Sequence, residues 1–463
     1  MQLSKHRGGL AEAVGLISQK FGGEPDWLVR LRVKWFEQYK ILPPETSELY
    51  IRHHISPEFD EDRLFENLDG AGPRGIPSDF KRVVEDTEHP TAVFVGKNLV
   101  HLSVPKNYLN AGVELLGIKE AVRRHESFFK DLYGRVLTSP YSDKYTYLAH
   151  ALHNAGVFIR IPKNAELEKP FRIVYVLDRE NEAVYAKVVV VCGPGSRSSV
   201  VEEFHGLPGT QGCVIGHHAD LITDMDCSLK HSILQNLGHE HLFTSNRVFD
   251  IGMNSSATAV GALIGGGTSK ARIDSVLAGN GSSVNDLEIV FGDGEQSMDL
   301  TANLHHLGYG TAGRVVAKGV VKEKAKTIFK GVITIEKAAK NTSAYLAEHA
   351  MIMSPEARAY AIPSLEIKTD EVKATHSASV SQIDPEQVYY LMTRGIPQEE
   401  ARKMLALGFF EPVVSMVDLD EVRWGIRSLL EGKWGGPVTE LFEEPEVTIT
   451  SLFGTHYKYR YGR

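Results

Sequence analysis

The chain of 463 residues has only three cysteines, Cys192, Cys213 and Cys227. Three thiols do not make a disulfide framework, so the fold must rest on packing and hydrogen bonds. No apolar run approaches the ~20 residues needed to span a bilayer. The opening MQLSKHRGGLAEAV has no apolar core of the kind a secretory signal needs. Excess positive charge is missing too: 51 Lys and Arg face 59 Asp and Glu, for a net charge of −8. That balance argues against a general nucleic-acid binder. These absences point to the cytoplasm, with neither membrane nor nucleic acid as a partner. Nucleotide motifs are absent as well. Gly308 to Gly313 matches GxGxxG, but a strand-like run follows where a dinucleotide site requires a helix. The run Gly265-Gly266-Gly267-Thr268-Ser269-Lys270 lacks phosphate-loop spacing. Both read as turns. The 19 histidines include no HExxH pair, and the Cys213 to Cys227 interval is too long for a zinc knuckle.

What the sequence does have is a rhythm. Between Asp250 and Asp384, Gly/Asn breaks recur at 252–254, 265–267, 279–281, 292–294 and 308–310. Short β-rich runs sit between and beyond them, at 257–264, 272–277, 284–290, 298–304, 314–318 and 327–335. Each is about one strand long, with no room for a helix. A sandwich would favour tight Asn-Gly or Asp-Gly hairpins, and only Asn280-Gly281 and Asp293-Gly294 fit. The spacing therefore predicts a parallel β-helix with two or three strands per coil. Earlier strands are expected at 157–161, 172–177, 184–191 and 196–203, followed by an irregular loop at 206–219.

The flanks read differently. Trp27, Leu28, Leu31, Trp35 and Tyr39 recur at helical spacing after Pro25, and Pro43-Pro44 ends that helix. Arg30, Arg32, Lys34 and Lys40 fall on the other face and read as solvated. A small α/β cap is expected over 60–150. It would hold a loop at 69–77, a hairpin of 92–95 with 99–104, and helices at 118–133 and 146–155. After Asp384 the signals become helical. Asp384 is an N-cap, Pro385 suits the first position and Gln387 completes a capping-box pattern. Gly395 stops this helix. A second is expected from 397 to 407, closed by Gly408, and a third over 420–431. The organisation is thus an N-terminal helical and α/β region (1–156), a β-helix core (157–384) and a C-terminal helical region (385–463). The tail from His456 to Tyr461 reads as a terminal strand or a frayed end.

Several stretches carry a resemblance. They are RVVAKGVV from Arg314, FKGV from Phe329, PSLEI from Pro363, VKATHSAS from Val372, IDPEQ from Ile383, Arg394-Gly395-Ile396 and Gly408-Phe409. GVFIRIPK from Gly156 and EPDWL from Glu24 extend it. Together they resemble the SufB/SufD family of iron–sulfur cluster assembly proteins, most specifically over 300–412. The resemblance implies a right-handed parallel β-helix with helical flanks. It implies a scaffold subunit, not an enzyme, that pairs with a SufB-type paralogue or a second copy of itself. It further implies docking of a SufC-type ABC ATPase by the C-terminal helices, with no nucleotide on this chain. An iron–sulfur cluster would form transiently at the subunit interface.

Family site residues carry over unevenly. Ala357 stands where SufB-type subunits have a ligand cysteine. His376, followed by Ser377, matches the histidine that SufD types keep without the following glutamate, so the pattern is SufD-like. His376 is the candidate metal ligand, since a neutral imidazole binds iron well. Cys213, in Gln211-Gly212-Cys213 ahead of Ser232 to Asn236, resembles the family's sulfur-accepting context, although Leu237 departs from it. Two other readings remain. One is a β-helix polysaccharide lyase or hydrolase, for which Asp286, Glu288, Asp293, Glu295 and Asp299 supply acidic density. The other is a purely structural homodimer that recruits the ATPase.

Overall fold

Two sheets wind through most of this computed structural model, which describes residues 23–58 and 75–434. β1 (Thr91–Val95) and β2 (Asn98–Ser103) form a hairpin, and β3 (Glu114–Gly117) lies antiparallel to β4 (Ala155–Ile161). Next come β5 (Phe171–Leu177), β6 (Ala183–Cys192), β7 (Arg197–Gly206), β8 (Val214–Thr223) and β9 (Ser228–Asn236). They continue as β10 (Leu242–Ile251), β11 (Ser256–Leu263), β12 (Thr268–Leu277), β13 (Ser283–Gly292) and β14 (Ser297–His306). The series ends with β15 (Ala312–Val321), β16 (Lys326–Ile335), β17 (Thr342–Ile352), β18 (Arg358–Ile367) and β19 (Val372–Gln382). From β4 onward each strand pairs in parallel with the next but one, odd strands in one sheet and even strands in the other. This is a parallel β-helix with two strands per coil. Arg314 bonds Asn285 one rung away, 29 residues earlier.

The sequence rhythm is the signature of the turns. One corner of successive coils holds Asn164, Gly195, Asp226, Asn254, Gly281, Gly310 and Asn341, all in the left-handed region with φ between 54° and 72°. Glycine adopts that region freely, and Asn and Asp tolerate it better than other residues. Each of these N–H groups donates to a carbonyl one coil on, as Asn254 does to Asn280, Gly281 to Tyr309 and Gly310 to Lys340. A second corner passes through Gly266 and Gly294. The two corners alternate along the chain, which produces the closely spaced breaks.

Inside the coils, alternate residues such as Val284, Val290, Leu304, Val315, Phe329 and Leu346 form one continuous core. The outer faces are covered by helices. α1 (Asp26–Ile41), α2 (Lys81–Glu85), α3 (Lys106–Asn110), α4 (Ile118–Arg124), α5 (Glu126–Arg135) and α6 (Lys144–Leu152) precede the core. Trp35 of α1, Tyr133 of α5 and Leu148 of α6 pack with Tyr185 and Val189 of β6 on the even sheet. A strap after α1 continues along that face. Asp299 accepts from the Ile55 N–H at 2.9 Å, and Lys330 joins Asp299 to Glu45. The odd sheet is covered by α8 (Gln398–Val414) and α9 (Asp420–Gly432), which follow α7 (Pro385–Thr393). Phe410, Val413, Ile426 and Leu430 pack there with Val260, Leu287 and Val316. Full burial of such a side chain contributes roughly 1.5–3 kcal/mol.

The structure differs from the sequence expectations in several places. Arg32 is fully buried, not solvated. It pairs with Glu24 and donates to the Ala151 and His153 carbonyls, satisfying the end of α6. The expected helix over 118–133 breaks at His125, whose ring packs against Phe158. The second helix ends at Leu152, and Ala155 already belongs to β4. The irregular segment after β7 is only 207–213, because β8 begins at Val214. Gly216 disguised that strand: a Cβ there would meet the Tyr185 ring at 2.4 Å. α8 runs through Gly408, since the packing of Phe410, Val413 and Val414 holds it helical. Asp384 caps α7 by accepting from the Glu386 N–H at 2.8 Å. Most of the loop expected at 69–77, and the tail at 456–461, lie outside the described residues.

The corner ladder is directly testable. Asn254 has φ 54°. Its replacement by alanine should cost about 1 kcal/mol in denaturant unfolding, and its replacement by glycine much less. Equal effects of the two changes would show that the left-handed corner does not set the cost.

Candidate functional site

The two ends of the β-helix are finished differently. At the first, the antiparallel strands β2 and β3 close the odd and even sheets. At the other, β18 and β19 are the last strands of their sheets, and no described strand lies beyond them. Half of their backbone N–H and C=O groups therefore face outward along two open edges. Open edges are templates for pairing with another chain. Ile367 and Val380 are exposed here. Beyond the last coil, α7 carries exposed Tyr389, Tyr390 and Met392. A hollow of about 440 Å³ lies between this helix and the coil, lined by Met353, Val388, Tyr389, Met392 and Arg402 among others.

His376 sits at this open end. In register it lies beside Leu346, a core residue, so it occupies a core-facing position with no further coil to cover it. It is exposed. One rung below, on the same face, is Glu348, which neighbours Ala378 in register. Glu348 is buried and has no side-chain hydrogen-bond partner. Burial pushes its carboxyl up to about 8.

Deeper in the coil lies a line of buried polar groups. Glu202 accepts from His231 at 2.7 Å and His217 at 3.2 Å, and His217 Nδ1 lies 2.8 Å from the Ser245 hydroxyl. Burial opposes ionisation of Glu202, but the two imidazoles prevail and hold it well below the usual carboxylate range. Further on, Arg247 pairs with Glu288. Gly261 leaves room for this carboxylate, since a Cβ there would meet it at 1.7 Å. Burial and the neighbouring Glu288 push the Asp286 carboxyl well up. A buried Asp beside a buried Glu cannot readily carry a second negative charge.

Comparison with known proteins decides the family. Residues 175–409 match the SufBD core domain of SUF-system iron–sulfur cluster assembly, and residues 22–173 match the SufBD N-terminal region. The chain belongs to the SufBD family. The iron–sulfur cluster assembly protein SufD of Bacillus subtilis is 28% identical over 414 residues, covering 89% of this chain and 94% of that protein. A SufBD family iron–sulfur cluster assembly protein of Staphylococcus haemolyticus is 24% identical, covering 92% and 94%. A Staphylococcus epidermidis relative matches to the same extent.

The SufBD residues singled out in the sequence are not gathered at one place. Cys213 lies just before β8, five strands of the even sheet from β18. At about 4.8 Å per strand it is on the order of 24 Å from the last coil that carries His376. Its thiol is buried and donates to the Arg179 carbonyl at 3.0 Å, and burial pushes it up to about 11. Cys192 and Cys227 are buried as well. Ala357 packs with Val321 and Ala325 at the corner leading into β18. The acidic density at 286–299 forms no shared groove. Asp286 and Glu288 are buried in the coil, Asp293 pairs with Lys433, Glu295 with Lys324, and Asp299 with Lys270 and Lys330. His150, His218 and Asp220 bring ligand atoms within 4.8 Å of one another. Lys187 lies among them, 3.2 Å from His150 Nε2 and paired with Asp220, so an ammonium already supplies the positive charge. Among the described residues no helix is long and apolar enough to cross a membrane.

Glu348 gives a pH prediction. Its folded-state value, about 8, lies above the ordinary 4.5. Its burial is therefore tolerated below pH 4.5 and destabilises progressively as pH rises through 8. Glu348→Gln should stabilise the fold at pH 9 by on the order of 2–4 kcal/mol and leave it little changed at pH 4. A pH-independent effect in thermal unfolding would place the Glu348 carboxyl in water.

Proposed function

We propose that this chain is a non-catalytic scaffold subunit of a Suf-type iron–sulfur cluster assembly complex in the cytoplasm. The observation that carries this reading is the open last coil, where two unpaired edges and an exposed core-register histidine coincide. The subunit pairs there with a SufB-type paralogue or a second copy of itself. The three regions, 1–156, 157–384 and 385–463, divide the work into cap, core and partner docking. α7 to α9 dock a SufC-type ABC ATPase, a role supported by the exposed Tyr389, Tyr390 and Met392 beside the 440 Å³ hollow.

The cluster is the cargo of this assembly, held at the interface between subunits. His376 offers it an imidazole, while Ala357 has no ligand atom, so thiolates must come from the partner. The exposed setting of His376 supports this, because a buried imidazole would have to leave its packing first. A sulfur-handling role for Cys213 requires the 207–212 turn to open, since the thiol as folded is engaged by the Arg179 carbonyl. The lyase or hydrolase reading receives no support, because its carboxylates are buried or paired.

Two variants test the proposal in a co-expressed complex purified without oxygen. His376→Ala should leave subunit pairing and ATP hydrolysis intact but lower bound iron and sulfide by on the order of tenfold. Normal cluster content in that intact complex would remove His376 from the site. A chain ending at Ile383 uncovers the odd sheet where α8 and α9 pack; where it still folds, it should fail to co-purify with the ATPase. Undiminished binding by the folded truncated chain would place docking elsewhere.

A further inference from the structure

The outer face of the odd sheet ends in a groove whose basic lining the assembly role leaves unexplained. It lies between the last three odd strands and α8, with a volume of about 380 Å³. Arg314 and Lys318 of β15, Tyr345 and His349 of β17, Ser379 of β19 and Phe409 of α8 line it. Residues of alternate register share this face: Lys318 lies beside His349, and His349 beside Ser379.

The charge of the groove runs against that of the chain. The whole protein carries −8, yet no residue lining the groove is acidic. The bonds that Arg314 and Lys318 make are to neutral groups. Arg314 donates to the Asn285 amide oxygen at 3.3 Å. Lys318 donates to the Phe409 carbonyl at 2.7 Å, and its ammonium lies 4.7 Å from the centre of the Phe409 ring. Lys318 is only half-exposed. Burial, and then the nearby Arg314, lower its proton affinity, and burial and then Lys318 lower that of His349. His349 Nδ1 lies 2.7 Å from the Ser379 hydroxyl. Lys318, half-withdrawn from water on the same face as the exposed Arg314, is relieved by an anion bound between the two.

We propose that this groove binds a small, multiply charged oxyanion. Lys318 and Arg314 supply the charge, the Ser379 and Tyr345 hydroxyls supply orientable donors, and Phe409 forms an apolar wall. Arg314 and Lys318 are four residues apart on one strand, on the order of 13 Å of backbone. The groove therefore suits a ligand with more than one anionic group rather than a single small ion. Phosphates and polycarboxylates share this chemistry. The groove borders the pairing edge through Ser379 of β19 and the docking helices through Phe409 of α8, but Arg314 and Lys318 belong to neither, so loss of anion binding in their variants would leave the assembly role standing.

Calorimetric titration of the full chain with inorganic pyrophosphate and, separately, with citrate tests the proposal. At least one should bind with 1:1 stoichiometry. Pyrophosphate binding alone identifies a phosphate ligand, and citrate binding a carboxylate one. Arg314→Gln and Lys318→Gln should each weaken the binding by at least about tenfold. Lys324→Gln, which alters an exposed pair with Glu295 outside the groove, should leave it unchanged. Arg314→Gln touches only one amide contact, so it remains decisive if Lys318→Gln disturbs α8. No saturable binding of either probe up to about 10 mM, or equal affinity in both groove variants, would overturn the proposal.

Discussion

Along most of this fold, the inter-strand bonds of one coil are made to the next. That constraint sets its length, its turns and its ends. Parallel strands cannot close on themselves with tight hairpins, so each coil must turn two corners and return one rung higher. The corners survive only where the chain can enter the left-handed region, which is why Asn, Asp and Gly stack there. A column built this way is satisfied everywhere except at its ends. The first end is closed internally by β2 and β3. The other has β18 and β19 with no described strand beyond them. Open edges of this kind are templates for pairing with another chain unless they are short, charged or covered.

Ion pairs then tie the flanks to the column. Arg172 on β5 bonds Glu203 on β7 at 2.7 Å and Glu421 on α9 at 2.6 Å, joining core to C-terminal helices. Burial raises the Glu203 carboxyl, but Arg172 and His205 more than offset this and hold it at about 2. On the opposite face Lys330 and Lys270 meet Asp299 beneath the strap that carries Glu45 and Ile55. Buried pairs of this kind contribute little net stability, but removing one partner leaves a charge stranded. They fix which face each flank covers. The even sheet is thereby sealed by the N-terminal part, and the odd sheet by α8 and α9 up to the groove that holds Arg314 and Lys318.

The column was legible because its period is written in Gly and Asn, and corner chemistry is local. The covering helices were legible in outline through Trp27 to Tyr39 and the Asp384-Pro385 cap. Misreadings arose where tertiary contacts outweighed local preference. Arg32 looks like a surface cation until the end of α6 arrives to be capped. Gly408 looks like a helix stop until Phe410 and Val413 are seen packed on a sheet. The strand at β8 is hidden because His217, a polar residue in a core register, is satisfied only through tertiary contacts, with Glu202 of the neighbouring sheet and Ser245 of the next even strand. The site was less legible than the fold. His376 and Cys213 stand out only through short motifs: the resemblance implies that His376 lies late in the β-helix at the subunit face, but nothing in the sequence indicates that Cys213 is sealed at a distant turn. Glu348 gave no signal at all, because its burial without a partner follows from its rung and not from its neighbours in the chain.

The central claim is that the last coil is completed by another subunit. Amide hydrogen exchange across β18 and β19 measures this directly, because an edge strand bonds only half of its N–H groups within its own sheet. In the chain alone, the outward-facing amides of 358–367 and 372–382 should exchange rapidly while those of β13 to β16 stay protected. In a complex assembled with SufB-type and SufC-type partners, the same edge amides should slow by at least about tenfold. Unchanged exchange at both edges in a complex that has demonstrably assembled would contradict the account.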